Sequence, residues 1–345
     1  MKKDLRSLTY EQLKSAVADC GGQKYRADQI YRWMHVQFAD DFDAITNVPH
    51  ALLEKLREEY EICRVKTELV QISEIDGTRK YLFSLFDGNM IESVFMRYEH
   101  GNSVCISSQV GCNMGCKFCA STIDGKVRDL TAGEMLAQIY GIMKETGEKI
   151  SNVVVMGSGE PLENYVNLID FIEMLSDERG LNLSQRNLTV STCGLVPKIR
   201  ELAEKKYQLT LAISLHAPTD EKRRALMPIA NRYSLKELID ACSDYFDKTG
   251  RRITFEYALI RGENDSQEDA DLLSALIASL NCHVNLIPVN PVTERNYQQS
   301  AKNAVLAFKN KLEKNHINVT IRREMGRDID GACGQLRRRF LSPAP

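Results

Sequence analysis

The stretch that decides the fold is Gly111-Cys112-Asn113-Met114-Gly115-Cys116-Lys117-Phe118-Cys119, whose cysteines follow the spacing C-x3-C-x2-C. Three thiolates this close in sequence can wrap one loop around a compact metal centre. Zinc sites usually combine paired C-x2-C knuckles into four ligands, and no fourth cysteine or histidine follows nearby in the sequence. A [4Fe-4S] cluster held by three cysteines leaves one iron open for a small molecule. The spacing therefore favours a cluster on Cys112, Cys116 and Cys119 over a zinc loop or three unrelated cysteines.

The composition is that of an ordinary soluble protein, long enough for one large core and an accessory unit. The chain has 345 residues, of which 43% are hydrophobic and 27% charged, and a net charge of -2. Overall charge therefore does not argue for nucleic acid, although basic runs at 222–224, 251–252, 322–323 and 337–339 could form local patches. No apolar run approaches the roughly 18 residues of a membrane span, and the N-terminus lacks the apolar stretch of a secretory signal. We expect a cytoplasmic protein with no membrane contact, whose ten cysteines are not a disulfide framework.

Periodicity divides the chain into four parts. Residues 1–60 show helical spacing of apolar residues in three segments and predict a small helical domain. Residues 61–104 alternate around Asp76-Gly77 and Asp87-Gly88, which predicts a short antiparallel β extension with two hairpin turns. Residues 105–325 repeat strand and helix, and residues 326–345 form a C-terminal segment.

The repeating part predicts an α/β fold, namely a partial, open (β/α)6 barrel. Alternating strand–helix units imply a parallel sheet with helices outside, and about six units fit the available length. Capping-box signals start two of the helices, Thr131 with Glu134 and Ser234 with Glu237. In such barrels the site lies at the carboxyl ends of the strands. The candidate strands are residues 152–157, 187–192, 210–216, 252–259, 283–288 and 318–323.

Two motifs resemble those of the radical S-adenosylmethionine superfamily. The cysteine spacing matches the superfamily's signature, and Gly157-Ser158-Gly159-Glu160-Pro161 resembles its glycine-rich motif for the amino group of the cofactor. A lone Gly-rich turn would be a weak signal, but this one follows the first strand beyond the cysteine loop. The resemblance implies a [4Fe-4S] cluster whose open iron binds S-adenosylmethionine.

Longer stretches resemble the RlmN/Cfr family of RNA adenine methyltransferases, in order and over nearly the whole chain. They are Cys105-Ile-Ser-Ser-Gln-Val-Gly-Cys112, Ser214-Leu-His-Ala-Pro218, Asn285-Leu-Ile-Pro-Val-Asn-Pro291, Asp328-Ile-Asp-Gly-Ala-Cys-Gly-Gln-Leu336, and Tyr25-Arg-Ala-Asp-Gln-Ile30 with Trp33. The last of these resembles the family's N-terminal module, which implies an RNA-binding role for residues 1–60.

The resemblance implies a reaction in which a cysteine carries the methyl group and two S-adenosylmethionine molecules are used per turnover. Cys333 would take a methyl from the first molecule, and a radical from the second would activate that methyl to add to the base. Cys105 would form a transient disulfide with Cys333, and Glu92 would accept the proton from the substituted carbon. Taken alone, Cys105 would be a buried strand cysteine, Glu92 a solvent-facing residue and His216 a core histidine. The implied cofactor contacts are Gly159, Glu160, Ser191, Ser214, Leu215, His216 and Asn290.

The substrate implied by the resemblance is one adenine of 23S ribosomal RNA. The RlmN branch methylates carbon 2 of this base, and some of its members also treat an adenine of transfer RNA, whereas the Cfr branch methylates carbon 8. Val110, Thr122 and Pro161 resemble the RlmN branch, so we expect carbon 2, with the Cfr reaction as the alternative. A flavodoxin or ferredoxin would supply electrons, and we expect a monomer.

Three other interpretations stay open at this point. A redox or metal sensor would use the cysteines as a switch, but has no need of the glycine-rich motif. A radical enzyme acting on a small molecule or peptide would not need the Cys105 and Cys333 pair. A catalytically idle RNA-binding relative would be expected to lack some of the chemical residues, all of which are present.

Overall fold

The structure, a computed structural model, describes residues 2–290, 295–329 and 334–341 and is built around one ten-stranded sheet. The strands are β1 (Lys3–Asp4), β2 (Tyr60–Glu61), β3 (Lys66–Ile72), β4 (Arg79–Ser84), β5 (Met90–Tyr98), β6 (Gly101–Ile106), β7 (Gln109–Gly111), β8 (Lys126–Asp129), β9 (Asn152–Val155), β10 (Leu188–Thr192), β11 (Thr210–Ser214), β12 (Ile253–Leu259), β13 (Cys282–Pro288) and β14 (Val319–Ile321). The helices are α1 (Tyr10–Asp19), α2 (Tyr25–His35), α3 (His50–Glu59), α4 (Ala132–Thr146), α5 (Tyr165–Ser176), α6 (Val196–Glu204), α7 (Asp220–Leu226), α8 (Leu235–Thr249), α9 (Gln267–Ile277), α10 (Lys302–Lys314) and α11 (Gln335–Leu341).

The sheet has the order β14-β13-β12-β11-β10-β9-β6-β5-β4-β3. Strands β6 and β9 to β14 are mutually parallel, and β5, β4 and β3 continue the sheet antiparallel beyond β6. The two edges, β14 and β3, do not pair with each other, so the expected open barrel is confirmed. The six predicted barrel strands are all present. Five are one to three residues shorter than predicted, and β13 is one residue longer.

Strand β6 is the member of the ten-stranded sheet whose range the sequence pattern did not predict. It pairs antiparallel with β5 on one side and parallel with β9 on the other. It therefore adds a seventh parallel strand and joins the antiparallel extension to the barrel in one continuous sheet. Its last residues, Cys105 and Ile106, lead directly into the cysteine loop.

The three predicted N-terminal helices are present and bury an apolar cluster of their own. Tyr31 is fully buried there, whereas Trp33 is only half-buried and donates its indole N–H to Asn47. His35 contacts the hydroxyl of Tyr140 on α4 at 2.8 Å, which fastens this unit to the barrel through a buried polar contact. Over the described residues, none of the helices combines the length and apolarity that a membrane span requires.

Local sequence signals set the ends of several elements as predicted. Both capping boxes form, with Thr131 accepting from the Glu134 amide and Ser234 from the Glu237 amide. Gly77 lies in the β3–β4 turn at φ +70° and the turn between β4 and β5 is likewise completed by a glycine in the left-handed region.

Gln138 of α4 links the helix to the strand ends that lead to the cysteine loop. Its side chain is fully buried, its oxygen accepts from Ser93 Oγ and the Ser107 amide, and its nitrogen donates to the Ser107 carbonyl. Ser107 directly follows β6, at the point where the pairing of that strand stops. Gln138 thus satisfies buried backbone groups immediately before the loop.

We predict that Gln138→Leu, which keeps the side-chain volume, lowers the free energy of unfolding by roughly 2–4 kcal/mol because it leaves the Ser107 amide and carbonyl unpaired. Urea unfolding measures this, with Gln37→Leu at an exposed position as the control. Equal free energies of unfolding for the two variants would show that the hydrogen bonds of Gln138 do not stabilise the fold.

Candidate active site at the carboxyl ends of the strands

A cavity of ≈500 Å³ opens where the carboxyl ends of the parallel strands meet the cysteine loop. The parallel strands β6 and β9 to β13 each contribute a lining residue near or just beyond the carboxyl end, and the loop contributes three more. This is the position that the fold predicts for a site. The lining residues used below are Cys105, Cys119, Met156, Ser191, Ser214, His216, Glu256, Asn290, Arg322 and Arg323.

The cysteine loop is held in place by contacts of its backbone. It begins at Gly111, which has φ +77° and lies so close to Gly125 that an added Cβ would be 1.9 Å from the Gly125 carbonyl oxygen. The Cys112 amide donates to that same oxygen at 3.1 Å. Farther along, the Lys117 amide donates to the Leu226 carbonyl at 2.9 Å, which ties the loop to the end of α7. Only glycine fits at position 111.

Two of the three thiols of the loop, those of Cys112 and Cys116, lie in surroundings that disfavour their charged forms. Cys112 and Cys116 are buried, at 6% and 9% exposure, and Cys119 is half-buried and faces the cavity. Burial, together with the nearby charge of Cys119, raises the pKa of Cys112 to about 12 and raises the pKa of Cys116 further. Because a thiolate is the form that binds metal, ionising all three together requires a compensating cation.

This donor set fits an iron–sulfur cluster. Three free cysteines on one loop supply three thiolates, and the cavity beside Cys119 leaves room for a ligand of the remaining iron. Within the described ranges, no three His, Cys, Asp or Glu side chains converge closely enough to hold a single metal ion. A four-iron cluster does not need such a group, since each thiolate binds a separate iron.

His216 lies in the cavity wall as a neutral imidazole. It has φ +56°, is 5% exposed, and its Nδ1 accepts from the Ala258 amide at 2.9 Å. Burial, assisted by the charge of Arg223, lowers the pKa of His216 to about 3. Since Nδ1 is an acceptor, the proton of the neutral ring is on Nε2, which is then a donor. Phe118 of the cysteine loop packs edge-on against the ring at 4.8 Å.

Four of the seven expected cofactor contacts line the cavity, namely Ser191, Ser214, His216 and Asn290. The hydroxyls of Ser191 and Ser214 lie 3.5 Å apart on neighbouring strands. Gly159, Glu160 and Leu215 are not among the lining residues. Leu215 is fully buried, and an added Cβ on Gly159 would lie 2.6 Å from Gln109 Cβ.

Glu160 has a structural position inside the fold. Its carboxylate accepts from the amides of Leu162 at 3.0 Å and Cys193 at 2.7 Å, and so ties the end of β9 to the end of β10. Burial raises the pKa of this group while these hydrogen bonds oppose the rise. The glycine-rich motif therefore allows the segment after β9 to pack closely against Gln109 of β7, and the hydrogen bonds of Glu160 hold this junction together.

The residues expected to handle the methyl group are only partly brought together. Cys105 is 5% exposed and lines the cavity. Glu92, on the neighbouring strand β5, is not solvent-facing, as it would be taken alone, but is buried at 5% exposure beside Lys80, with the two charged groups 3.1 Å apart. Cys333 lies outside the described residues, so its pairing with Cys105 stays a prediction.

Sequence reasoning missed two buried charged residues of the site. Glu256 lines the cavity, with its carboxylate accepting from Asn285 at 2.9 Å and its pKa raised by burial. Arg223, from the run expected to be a surface patch, is instead fully buried and donates to the carbonyls of Cys193 at 2.6 Å and Leu215 at 3.2 Å. The only sequence signal for Glu256 was its position inside a predicted strand. Arg223 was not recognised because it lies within a run of basic residues.

The other basic runs lie in different parts of the fold. Arg322 and Arg323 are exposed and line the cavity mouth, close to where the cysteine loop ends. Arg252 lies at the opposite ends of the strands, in a separate polar pocket. The run 337–339 is part of α11. Of the four basic runs, 322–323 is therefore the one that brings positive charge to the lining of the cavity mouth.

The buried neutral state of His216 predicts a loss of stability on acidification. Below the ordinary pKa of 6.5, His216 takes up a proton in the unfolded chain, whereas in the folded protein it stays neutral down to about pH 3. The free energy of unfolding therefore falls as the pH falls. From pH 7 to pH 5, His216→Gln should lose about 2 kcal/mol less unfolding free energy than the wild type. Urea unfolding at both pH values measures this. The exposed His50→Gln should behave as wild type, and an unchanged pH dependence in His216→Gln would contradict the assignment.

Comparison with known proteins gives concordant results for sequence and fold. Family profiles match at residues 106–273, for the radical SAM superfamily, and at residues 3–62, for the ribosomal RNA large subunit methyltransferase N-terminal domain. A Lachnospira eligens protein named "Probable dual-specificity RNA methyltransferase RlmN" is 63% identical over 338 residues, which is 98% of this chain and 97% of the relative. A Clostridium novyi protein of the same name is 52% identical, over 98% of this chain and 99% of the relative.

A solved structure agrees with the fold over nearly its full length. The crystal structure of a radical SAM methyltransferase from Sphaerobacter thermophilus superposes with a TM-score of 0.92 at 42% sequence identity. The alignment covers 96% of this chain and 98% of that one. The similarity therefore includes the N-terminal helices and the antiparallel extension as well as the barrel.

Proposed function

The chain belongs to the RlmN family of radical S-adenosylmethionine RNA methyltransferases, and from this we propose that it methylates carbon 2 of adenine A2503 in 23S ribosomal RNA. We extend the proposal to carbon 2 of an adenine in transfer RNA, because the relatives carry the name dual-specificity RNA methyltransferase. The observation that carries the proposal is the cavity itself, in which the cysteine loop, the strand-end hydroxyls and Cys105 face one space.

We assign the family's [4Fe-4S] cluster to Cys112, Cys116 and Cys119. Such a cluster supplies the electron for reductive cleavage of S-adenosylmethionine. The chain's own contribution is a shaped wall beside it. The Nε2–H of His216 and the hydroxyls of Ser191 and Ser214 offer hydrogen bonds to a polar ligand, and Asn290 adds an amide at the rim. Fixed donors of this kind orient a bound molecule without reorganising.

We propose that Cys333 carries the methyl group, and that two S-adenosylmethionine molecules are used per turnover. Cys105 supports this assignment, because it gives the cavity a thiol on the strand that enters the cysteine loop. Attack of the Cys105 thiolate on the Cys333 sulfur would form a disulfide and break the carbon–sulfur bond to the base. The released methylene carbon would keep the electron pair and take up a proton to become the methyl group. Glu92 is proposed as the acceptor of the proton lost from the substituted carbon.

The RNA would approach through the cavity mouth. Arg322 and Arg323 are exposed there and could neutralise phosphates around an adenine that has left its stack. Tyr25 and Arg26 supply a second surface on the N-terminal helices, with the guanidinium stacked on the exposed ring at 4.6 Å. We further propose a cytoplasmic monomer that receives electrons from a flavodoxin or ferredoxin.

The proposal predicts 2-methyladenosine as the product. Anaerobic protein with a reconstituted cluster would be incubated with labelled S-adenosylmethionine, a reductant and an unmodified fragment of 23S ribosomal RNA, with transfer RNA in parallel. Digestion and mass spectrometry should detect 2-methyladenosine, abolished in Cys112→Ala and Cys333→Ala and retained in Cys20→Ala, whose thiol is remote from the cavity.

Each other product would identify a different error. 8-Methyladenosine would keep the mechanism and assign the chain to the Cfr reaction. Accumulation of 5′-deoxyadenosine without a methylated base would keep the radical chemistry and overturn the RNA substrate. Full activity in Cys333→Ala would overturn the methyl-carrier assignment.

A further inference from the structure

The antiparallel extension contacts the C-terminal segment on both sides of residues 330–333. Upstream, the side chain of Asp328 accepts from Ser73 Oγ at 2.6 Å and from the Glu74 amide at 2.8 Å. The Gly326 amide donates to Asp76 at 2.9 Å. The Ser73 to Asp76 part of the β3–β4 turn therefore holds residues 326–328 through hydrogen bonds in both directions.

Downstream, the carboxylate of Glu92 is used by the start of the C-terminal helix. One oxygen accepts from the Gly334 amide at 2.7 Å and the other from the Arg337 amide at 2.6 Å. Lys80 Nζ lies 3.1 Å from the first of these oxygens. The Lys80 side chain is fully buried and that of Glu92 nearly so. A buried carboxylate that accepts two amides and faces an ammonium is strongly oriented.

We propose that these contacts form a two-point clasp, made of Ser73, Asp76 and Asp328 upstream and Lys80, Glu92 and Gly334 downstream, that positions the methyl-carrying segment for reaction. Gly334 directly follows Cys333 in the chain, so the downstream contact fixes the backbone one residue from the carrier. The inference rests on the proposed function, and it assigns Lys80 and Asp328 as positioning residues.

The charges of the clasp suit this role. Hydrogen bonding from Ser73 and Glu74 lowers the pKa of Asp328, and those from Thr78 and Gly326 lower the pKa of Asp76 to about 2 despite its burial. Both carboxylates are therefore ionised acceptors at neutral pH. Gly334 lies at φ +82°, and an added Cβ would meet Ser121 of the cysteine-loop region at 2.9 Å. The downstream point is thus packed between β5 and the end of the loop.

The clasp gives Glu92 a positioning role in addition to its proposed role as proton acceptor. In the described arrangement both of its oxygens accept main-chain amides, so a proton acceptor at this position is also the group that holds the helix. Changing Glu92 would remove both roles at once. Lys80 and Asp328 are the informative positions, because neither is assigned to the chemistry.

The test uses the full-length holoenzyme with Lys80→Met and Asp328→Ala. Lys80→Met leaves Glu92 buried without its ammonium, and Asp328→Ala removes an exposed acceptor with little risk to folding. The matched controls are Lys66→Met, on the exposed face of β3, and Asp247→Ala, on the surface of α8. Iron content and melting temperature are measured for every variant, so that folding failure in Lys80→Met leaves Asp328→Ala to decide.

Two readouts should move together in the clasp variants. Hydrogen exchange of the peptide 334–341 should accelerate in Lys80→Met, and that of 326–329 in Asp328→Ala, relative to wild type and controls. The ratio of methylated adenine to 5′-deoxyadenosine should fall about tenfold or more at unchanged iron content, because a displaced carrier misses the radical. A purely structural role would not change this ratio in folded protein.

The outcomes separate this inference from the proposed function. Wild-type protein that cleaves S-adenosylmethionine without methylating RNA would refute the proposed function, and the exchange measurements would still test the contacts. Wild-type exchange and an unchanged product ratio in both Lys80→Met and Asp328→Ala would overturn the clasp. Faster exchange with an unchanged ratio would also overturn it, since the contacts would then not position the carrier.

Discussion

The constraint on which the structure depends is the placement of three thiols, two of them buried, in one short loop. Cys112 and Cys116 resist ionisation because they are desolvated and because the neighbouring thiols would carry the same charge. The chain fixes this unfavourable arrangement with backbone contacts, at Gly111 against Gly125 and at Lys117 against the end of α7. A cationic iron–sulfur core would offset the electrostatic cost of ionising the thiols. The loop therefore holds the three cysteines in an arrangement that becomes favourable when such a core binds.

The strand ends of the barrel that meet this loop are joined by buried polar groups that make hydrogen bonds between them. Glu160 bridges the ends of β9 and β10, Arg223 binds carbonyls at the ends of β10 and β11, and His216 accepts from β12. A buried polar group with all its partners is rigid, whereas one without partners is costly. These ties keep the cavity wall in place, and they explain why charged residues that do not line the cavity are nevertheless built into its support.

Much of the fold could be predicted from sequence, and the limits have physical causes. Capping boxes and turn glycines act locally, so Thr131, Ser234 and Gly77 identified element ends correctly. The cysteine spacing is also local and located the loop. Pairing partners are not local, so β6 was missed because its two neighbours, β5 and β9, lie on different sides of the loop. Burial of single polar residues depends on tertiary contacts, which is why the surroundings of Glu92, Glu256 and Arg223 became apparent only in the fold.

The cysteine loop, the cavity and the antiparallel extension form a single unit, and the loop is its centre. The most direct test is the iron content and the electron paramagnetic resonance spectrum of the anaerobically reconstituted, reduced protein, with and without S-adenosylmethionine. We expect about four irons per chain, a spectrum that changes when S-adenosylmethionine is added, and loss of both in Cys116→Ala but not in Cys20→Ala. A single bound metal ion per chain, or a cluster that survives in Cys116→Ala, would contradict the account.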